Sequence, residues 1–212
     1  VRGESADSVE AMGNFGLAAT RDASGWSAVT SAPTPGSYVE GIWMTGENDA
    51  WGFTTHHSED PLAFYQWDGV DWTLVGVDAP HDIRDIWMDS SGEGWAVGLD
   101  GVAYHFDGSV WTGHTTPTTQ DLYSVYGLGP TDVWAVGSNG AAIHHDGDHW
   151  TQFDADTTDH LYAVWGGATD DVWAVGDYGT ATHYTAGTWT SMWVSGASDL
   201  NDLHGFSTTD VW

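Results

Sequence analysis

Leu122–His160 reads LYSVYGLGPTDVWAVGSNGAAIHHDGDHWTQFDADTTDH, and the segment that follows it, Leu161–Asp199, reads LYAVWGGATDDVWAVGDYGTATHYTAGTWTSMWVSGASD. The two align without a gap, and both carry DVWAVG, at 132–137 and 171–176. Ile83–Asp121 is a third copy, IRDIWMDSSGEGWAVGLDGVAYHFDGSVWTGHTTPTTQD, and Val39–Asp82 a fourth, longer one. Aromatic columns fix the register. Trp51, Trp95, Trp134, Trp173 and Trp212 are spaced 44, 39, 39 and 39. Trp26, Trp72, Trp111, Trp150 and Trp189 are spaced 46, 39, 39 and 39, and Trp43, Trp87, Tyr126, Trp165 and His204 are spaced 44, 39, 39 and 39. Three independent columns at one period identify a tandem repeat.

Each unit holds four short β-rich runs; in Leu122–His160 they are Tyr123–Tyr126, Val133–Val136, Ala141–His145 and His149–Phe153. Gly-Pro, Ser-Asn-Gly and Asp-Gly separate them, which is turn chemistry. No run has helical period. Four strands per unit of about 40 residues is the blade of an all-β fold, the β-propeller. The chain reads as one domain, 1–212, of five four-stranded blades of about 39 residues. Repeats 39–82, 83–121, 122–160 and 161–199 supply four. The closing blade is expected to be a composite of 7–38, which enters at a second strand, and 200–212, which supplies a first strand. Both ends offer part of a second strand, so a piece of a longer array is the alternative.

Composition narrows the function classes. Thirty-one acids face three arginines (Arg2, Arg21, Arg84) and no lysine, for a net charge of -28. Such a surface repels nucleic acid phosphate and anionic membranes, and no run of apolar residues is long enough to span a bilayer. The acid excess suits a protein kept soluble in strong salt. Cysteine is absent, which removes disulfides and thiolate metal sites. The acids make Ca²⁺ the one metal to weigh, but no loop carries the D-x-[DN]-x-[DN]-G pattern. No metal site and no cofactor are expected.

DVWAVG, HHDGDHW and HFDGSVW resemble the "DVWAVG…DGxxW" repeats of bacterial secreted and surface proteins, within the wider Asp-box and photosystem II assembly factor type of propeller. The resemblance covers nearly the whole chain. It implies a propeller and an extracellular or cell-surface location, and it names no ligand. Asp and Gly are adjacent here (Asp107-Gly108, Asp146-Gly147) rather than spaced as in a full Asp-box.

Most columns read as structure. The tryptophans fill the wedges between blades. The acid column Asp49, Glu93, Asp132, Asp171 and Asp210 is expected to cap the turn between first and second strands. His105, His144 and His183 read as polar packing on the third strand.

Departures from the repeat are the better functional candidates. Glu40, Arg84, Tyr123, Tyr162 and Asn201 occupy one variable column, three residues ahead of the inner aromatic. Beside the central channel they would form a polar recognition surface. An insertion in the first complete repeat, Thr54–Leu62, carries His56 and His57 and is expected to reach the same face. No catalytic set is present: no Ser-His-Asp signature, no phosphate loop, no HExxH, and no cluster of arginines with a tyrosine and an acid. The expected function is therefore a non-catalytic extracellular module that binds a glycan or protein. A structural or adhesive surface module in a larger assembly is the alternative, and a glycosidase-like enzyme a distant third.

Overall fold

The computed structural model describes residues 2–5, 8–13, 17–22, 25–29, 39–46, 49–54, 63–77, 82–207 and 210–211. Its elements are antiparallel sheets in chain order. Sheet 1 is β1 (Arg2–Ser5), β2 (Ser8–Gly13), β3 (Leu17–Asp22) and β4 (Gly25–Val29); sheet 2 is β5 (Val39–Gly46), β6 (Asp49–Thr54), β7 (Ala63–Trp67) and β8 (Trp72–Val77). Sheet 3 is β9 (Ile83–Met88), β10 (Gly94–Gly98), β11 (Ala103–Phe106) and β12 (Trp111–His114); sheet 4 is β13 (Leu122–Gly129), β14 (Asp132–Gly137), β15 (Ala141–His145) and β16 (Trp150–Asp154). Sheet 5 is β17 (Leu161–Ala168), β18 (Asp171–Gly176), β19 (Thr180–Thr185) and β20 (Thr188–Trp193), and the hairpin β21 (Gly205–Ser207) with β22 (Asp210–Val211) follows it. Each sheet packs on the next through its first strand, and β21 packs on β17. The chain is a β-propeller.

The composite closing blade is corrected. β1 pairs with β2 (Arg2↔Glu10, Gly3↔Val9), so sheet 1 takes its first strand from its own end of the chain. β21 pairs with β22 instead (Gly205↔Val211), as the start of a further unit. The cause is local: only Ala6 and Asp7 separate β1 from β2, a tight-hairpin distance. Arg2–Ser5 carries none of the aromatic marks of the other first strands, so the repeat pattern did not reveal it.

The DVWAVG motif has a physical reading. Its Trp is the centre of the blade, paired across both neighbouring strands: Tyr126↔Trp134↔His144 and Trp165↔Trp173↔His183. Its final glycine has extended backbone, and it is glycine because of close approach. A Cβ at Gly98, Gly137 or Gly176 would fall on the carbonyl oxygen of Asp82, Asp121 or His160. That carbonyl accepts from the following amide, Leu99, Ser138 or Asp177, and so fastens the chain entering the first strand to the end of the second.

The tryptophans interlock between sheets. The second-strand Trp of one sheet meets the fourth-strand Trp of the next edge to face: Trp51–Trp111 at 6.3 Å, Trp95–Trp150 at 5.0 Å and Trp134–Trp189 at 5.4 Å. Trp51, Trp95 and Trp134 are each 1% exposed. A buried indole of this size is worth on the order of 4–6 kcal/mol as an upper bound.

Candidate functional site

The variable column is a column of β-bulges. Pairing runs Val39↔Thr54 then Gly41↔Phe53, skipping Glu40. It runs Ile83↔Gly98 then Asp85↔Val97, skipping Arg84. Tyr123 is skipped between Leu122 and Ser124, and Tyr162 between Leu161 and Ala163. A bulged residue has no cross-strand partner and its side chain is re-aimed out of the pleat. That is why these positions vary while the column before them, Val39, Ile83, Leu122, Leu161 and Leu200, stays aliphatic.

Two of the candidates meet. The rings of Tyr123 and Tyr162 stack with centroids 5.8 Å apart, and His160 sits edge-on to Tyr123 at 6.2 Å. The Tyr162 hydroxyl donates to Asp177 Oδ1 at 2.6 Å. That bond, with burial and the Asp177 charge behind it, pushes the Tyr162 phenol up to about 12, so it stays a donor. His160 Nδ1 accepts from the Asn139 amide at 3.0 Å, which places the ring proton on Nε2. Both contacts tie the bulges to the turns between second and third strands, the face on which the sequence places them. Arg84 and Asn201 are exposed in the equivalent positions of their units, and Asn201 Nδ2 donates to the Asp199 carbonyl. Glu40 is described in backbone alone, and His56 and His57 lie outside the described residues.

Tyr178 belongs to the same face and the variable column did not reveal it. Turns 99–101, 138–140 and 177–179 each hold a left-handed residue before glycine: Asp100 (φ 56°), Asn139 (φ 53°) and Tyr178 (φ 55°). Asp and Asn tolerate that conformation; a tyrosine pays strain for it. Tyr178 is 72% exposed, one residue from the Asp177 that holds Tyr162. Its signal was in the sequence, as the aromatic in an Asp/Asn position.

Farther along the first strands lies a cavity of about 460 Å³, walled by Trp43, Tyr126 and Trp165 with Asp85, Asp202 and His204. Trp43 and Tyr126 meet edge-on at 6.4 Å, and Tyr126 and Trp165 lie at 6.2 Å. Asp85 and Ser124, in the cavity wall, also link the sheets. Asp85 Oδ2 accepts from the Ser124 hydroxyl at 3.1 Å and the Val125 amide at 3.0 Å, and Ser124 Oγ accepts from the Val164 amide at 3.3 Å.

The acid column is also corrected. These acids reach across to the third strand rather than capping only the turn. His144 Nε2 lies 2.7 Å from Asp132 Oδ1, His183 Nε2 2.6 Å from Asp171 Oδ1, and His105 Nε2 3.7 Å from Glu93. In sheet 2, Gln66 Nε2 donates to Asp49 Oδ1 at 3.0 Å. Each histidine then lies over its own Trp: His144 on Trp134 at 4.4 Å and His183 on Trp173 at 3.9 Å. In the turn between first and second strands of sheet 3 the cap is Asp89, which accepts the Ser91 and Glu93 amides; between third and fourth strands Asp68, Asp107 and Asp146 each accept two backbone amides. Those bonds hold all three below the usual carboxylate range. Among the described residues no group of three His, Asp or Glu has metal-site geometry.

No protein-family model and no curated protein matches the sequence. Solved structures do. A structure of YCF48 bound to D1 peptide is 18% identical with TM-score 0.70, covering 91% of this chain and 66% of that one. YCF48 from Cyanidioschyzon merolae is 14% identical with TM-score 0.68, covering 91% and 69%. A catalytically inactive virginiamycin B lyase from Staphylococcus aureus with quinupristin is 15% identical with TM-score 0.75, covering 93% and 70%. The chain spans about two thirds of the length of these propellers. At such identities the likeness is one of fold.

Proposed function

We propose that this chain is a non-catalytic binding module of the cell surface or extracellular space, and that its ligand, a protein or a glycan, docks on the tyrosine end of the propeller. The observation that carries the reading is the stacked Tyr123–Tyr162 pair, braced by Asp177. Flat rings held in place lose little entropy on binding and offer both an apolar face and a polar tip. Exposed Tyr178 widens the platform, and Arg84 adds a guanidinium that can hold a carboxylate or vicinal hydroxyls in two parallel hydrogen bonds. A propeller of the same fold is bound to a peptide, which supports a protein ligand. The location rests on the repeat's resemblance to surface and secreted proteins.

A glycan-array and surface-protein screen should yield a binder. Arg84→Ala and Tyr123→Ala should each weaken it by roughly tenfold, about 1–2 kcal/mol. Folded variants that bind like the parent would remove this site. A second reading, a structural module of a larger assembly, draws support from Met192, Trp193 and Val194, which stand 41, 70 and 47% exposed at the end of β20. Self-association measured by analytical ultracentrifugation, lost in Trp193→Ser, would favour it.

A further inference from the structure

The 460 Å³ cavity is a second site that begins beside the tyrosine end, at Ser124 and Ala163, and runs along the first strands to Leu128 and Gly167. Tyr123 and Leu128 stand at opposite ends of one strand, β13. Five residue steps along the strand separate them, about 17 Å. Leu128 and Gly167 line the cavity and Tyr123 does not. Three aromatic rings wall it: Trp43, Tyr126 and Trp165. They come from sheets 2, 4 and 5, so the propeller itself gathers them into one space. Two carboxylates, Asp85 and Asp202, share that space, and no arginine is among its described lining residues. The volume lies in the range of small-ligand sites.

Aromatic faces are negative, and two or more rings around a space attract an organic cation. Carboxylates in a partly dry cavity add to that attraction, and the net charge of -28 draws cations toward the molecule. An anion would meet the two carboxylates and the negative ring faces, and a neutral apolar ligand would leave the carboxylates without benefit. We propose that the cavity binds an organic ammonium ion, with the Trp43, Tyr126 and Trp165 rings contacting the cationic head and Asp202 supplying the counter-charge. Asp85 is engaged in holding Ser124 and Val125, so its share is the field rather than a direct bond. The same chemistry reaches a protein in two forms, as a free quaternary ammonium or as the ammonium of a lysine side chain in a peptide.

The test is isothermal titration calorimetry of the whole chain in about 0.15 M NaCl, where exposed charges are largely screened. The probes are choline and its neutral carbon isostere, in which a tert-butyl group replaces the trimethylammonium. A second pair is an acetylated Gly-Lys-Gly peptide and its norleucine counterpart. Saturable binding of choline or of the lysine peptide, at least roughly tenfold tighter than its neutral counterpart, supports the site, and the cation that binds identifies the source. Asp202→Asn, an exposed change that should not disturb folding, and Tyr126→Leu should each weaken binding several-fold. Tyr126→Phe, which keeps the ring, should bind like the parent. Neutral isosteres that bind equally well overturn the proposal, as does binding of no probe, or binding that ignores Asp202 and Tyr126 and so reflects only the diffuse surface charge.

Discussion

Trp134 and Trp173 occupy the same place in consecutive repeats, each in DVWAVG and each under a histidine held by an aspartate. Trp134 is 1% exposed, whereas Trp173 is partly exposed. The difference lies in what comes next. Trp134 receives Trp189 at 5.4 Å and Tyr184 at 4.6 Å from sheet 5. Beyond sheet 5 the described residues offer only β21 and β22, and the ring contact Trp173 makes is with its own His183. Outer-strand neighbours follow suit: Ala155 is 1% exposed where its counterpart Val194 is 47% exposed. Identical motifs thus have unequal burial, because a repeat carries only half of each interface and its neighbour carries the other half.

The comparison breaks most sharply on removal of the two rings. Trp134→Ala should cost about 3–5 kcal/mol, a loss of roughly 10 °C in melting temperature for a domain of this size. Trp173→Ala should cost less, about 2 kcal/mol, since the ring is only partly buried and receives no tryptophan from a following sheet among the described residues. Parallel thermal melts decide the matter; equal losses would mean that Trp173 is covered in solution.

A smaller effect sharpens the same contrast through pH. His145, on β15 at the boundary between sheets 3 and 4, is 4% exposed and lies 4.5 Å from Trp95, with His114 and His105 close by. Its Nδ1 accepts the Gly147 amide, and its Nε2 is buried with no partner among the described residues. Burial first, then the neighbouring His114, lowers it from 6.5 to about 4, against an opposing pull from Asp146. The unfolded chain therefore binds more protons than the folded one in that window. Stability is complete above about pH 6.5 and falls as pH drops toward about 4. Denaturant titrations should show this slope in the parent and a flatter one in His145→Phe. An unchanged slope would assign the acid sensitivity to other groups.

The sequence showed the repeat, its four strands and the role of the tryptophans, because aromatic columns at a fixed period survive any detail of turn geometry. Three things were not legible. The bulge at Glu40, Arg84, Tyr123 and Tyr162 is a matter of register, which a single strand does not display; only the variability of the column pointed to it. The pairing of Asp132 with His144 joins two columns twelve residues apart, and each column read alone suggested a turn cap or plain packing. Arg2–Ser5 forms a strand on hairpin geometry without the hydrophobic marks of its counterparts. Local pattern reports which side chains are shared by every blade, whereas contacts between blades depend on residues from two units at once.

That last point has the smallest expected effect and the most specific test. Asp132 Oδ1 takes the His144 ring N–H at 2.7 Å, while its Oδ2 accepts the Thr169 hydroxyl of sheet 5 at 2.7 Å. Asp171 takes His183 at 2.6 Å within its own sheet. One carboxylate therefore links two blades, and among the described residues its counterpart bonds within its own sheet. A double-mutant cycle between Asp132→Ala and Thr169→Val should show a coupling of about 0.5–1.5 kcal/mol, the net worth of one hydrogen bond. A cycle between Asp171→Ala and the same Thr169→Val, whose hydroxyl does not touch Asp171, should show coupling near zero. Because the histidine contact is lost in both aspartate variants, the difference between the cycles isolates the bond that crosses the blade boundary. Equal coupling in the two cycles would mean that Thr169 acts through the backbone of its turn and that the blades are joined here by packing alone.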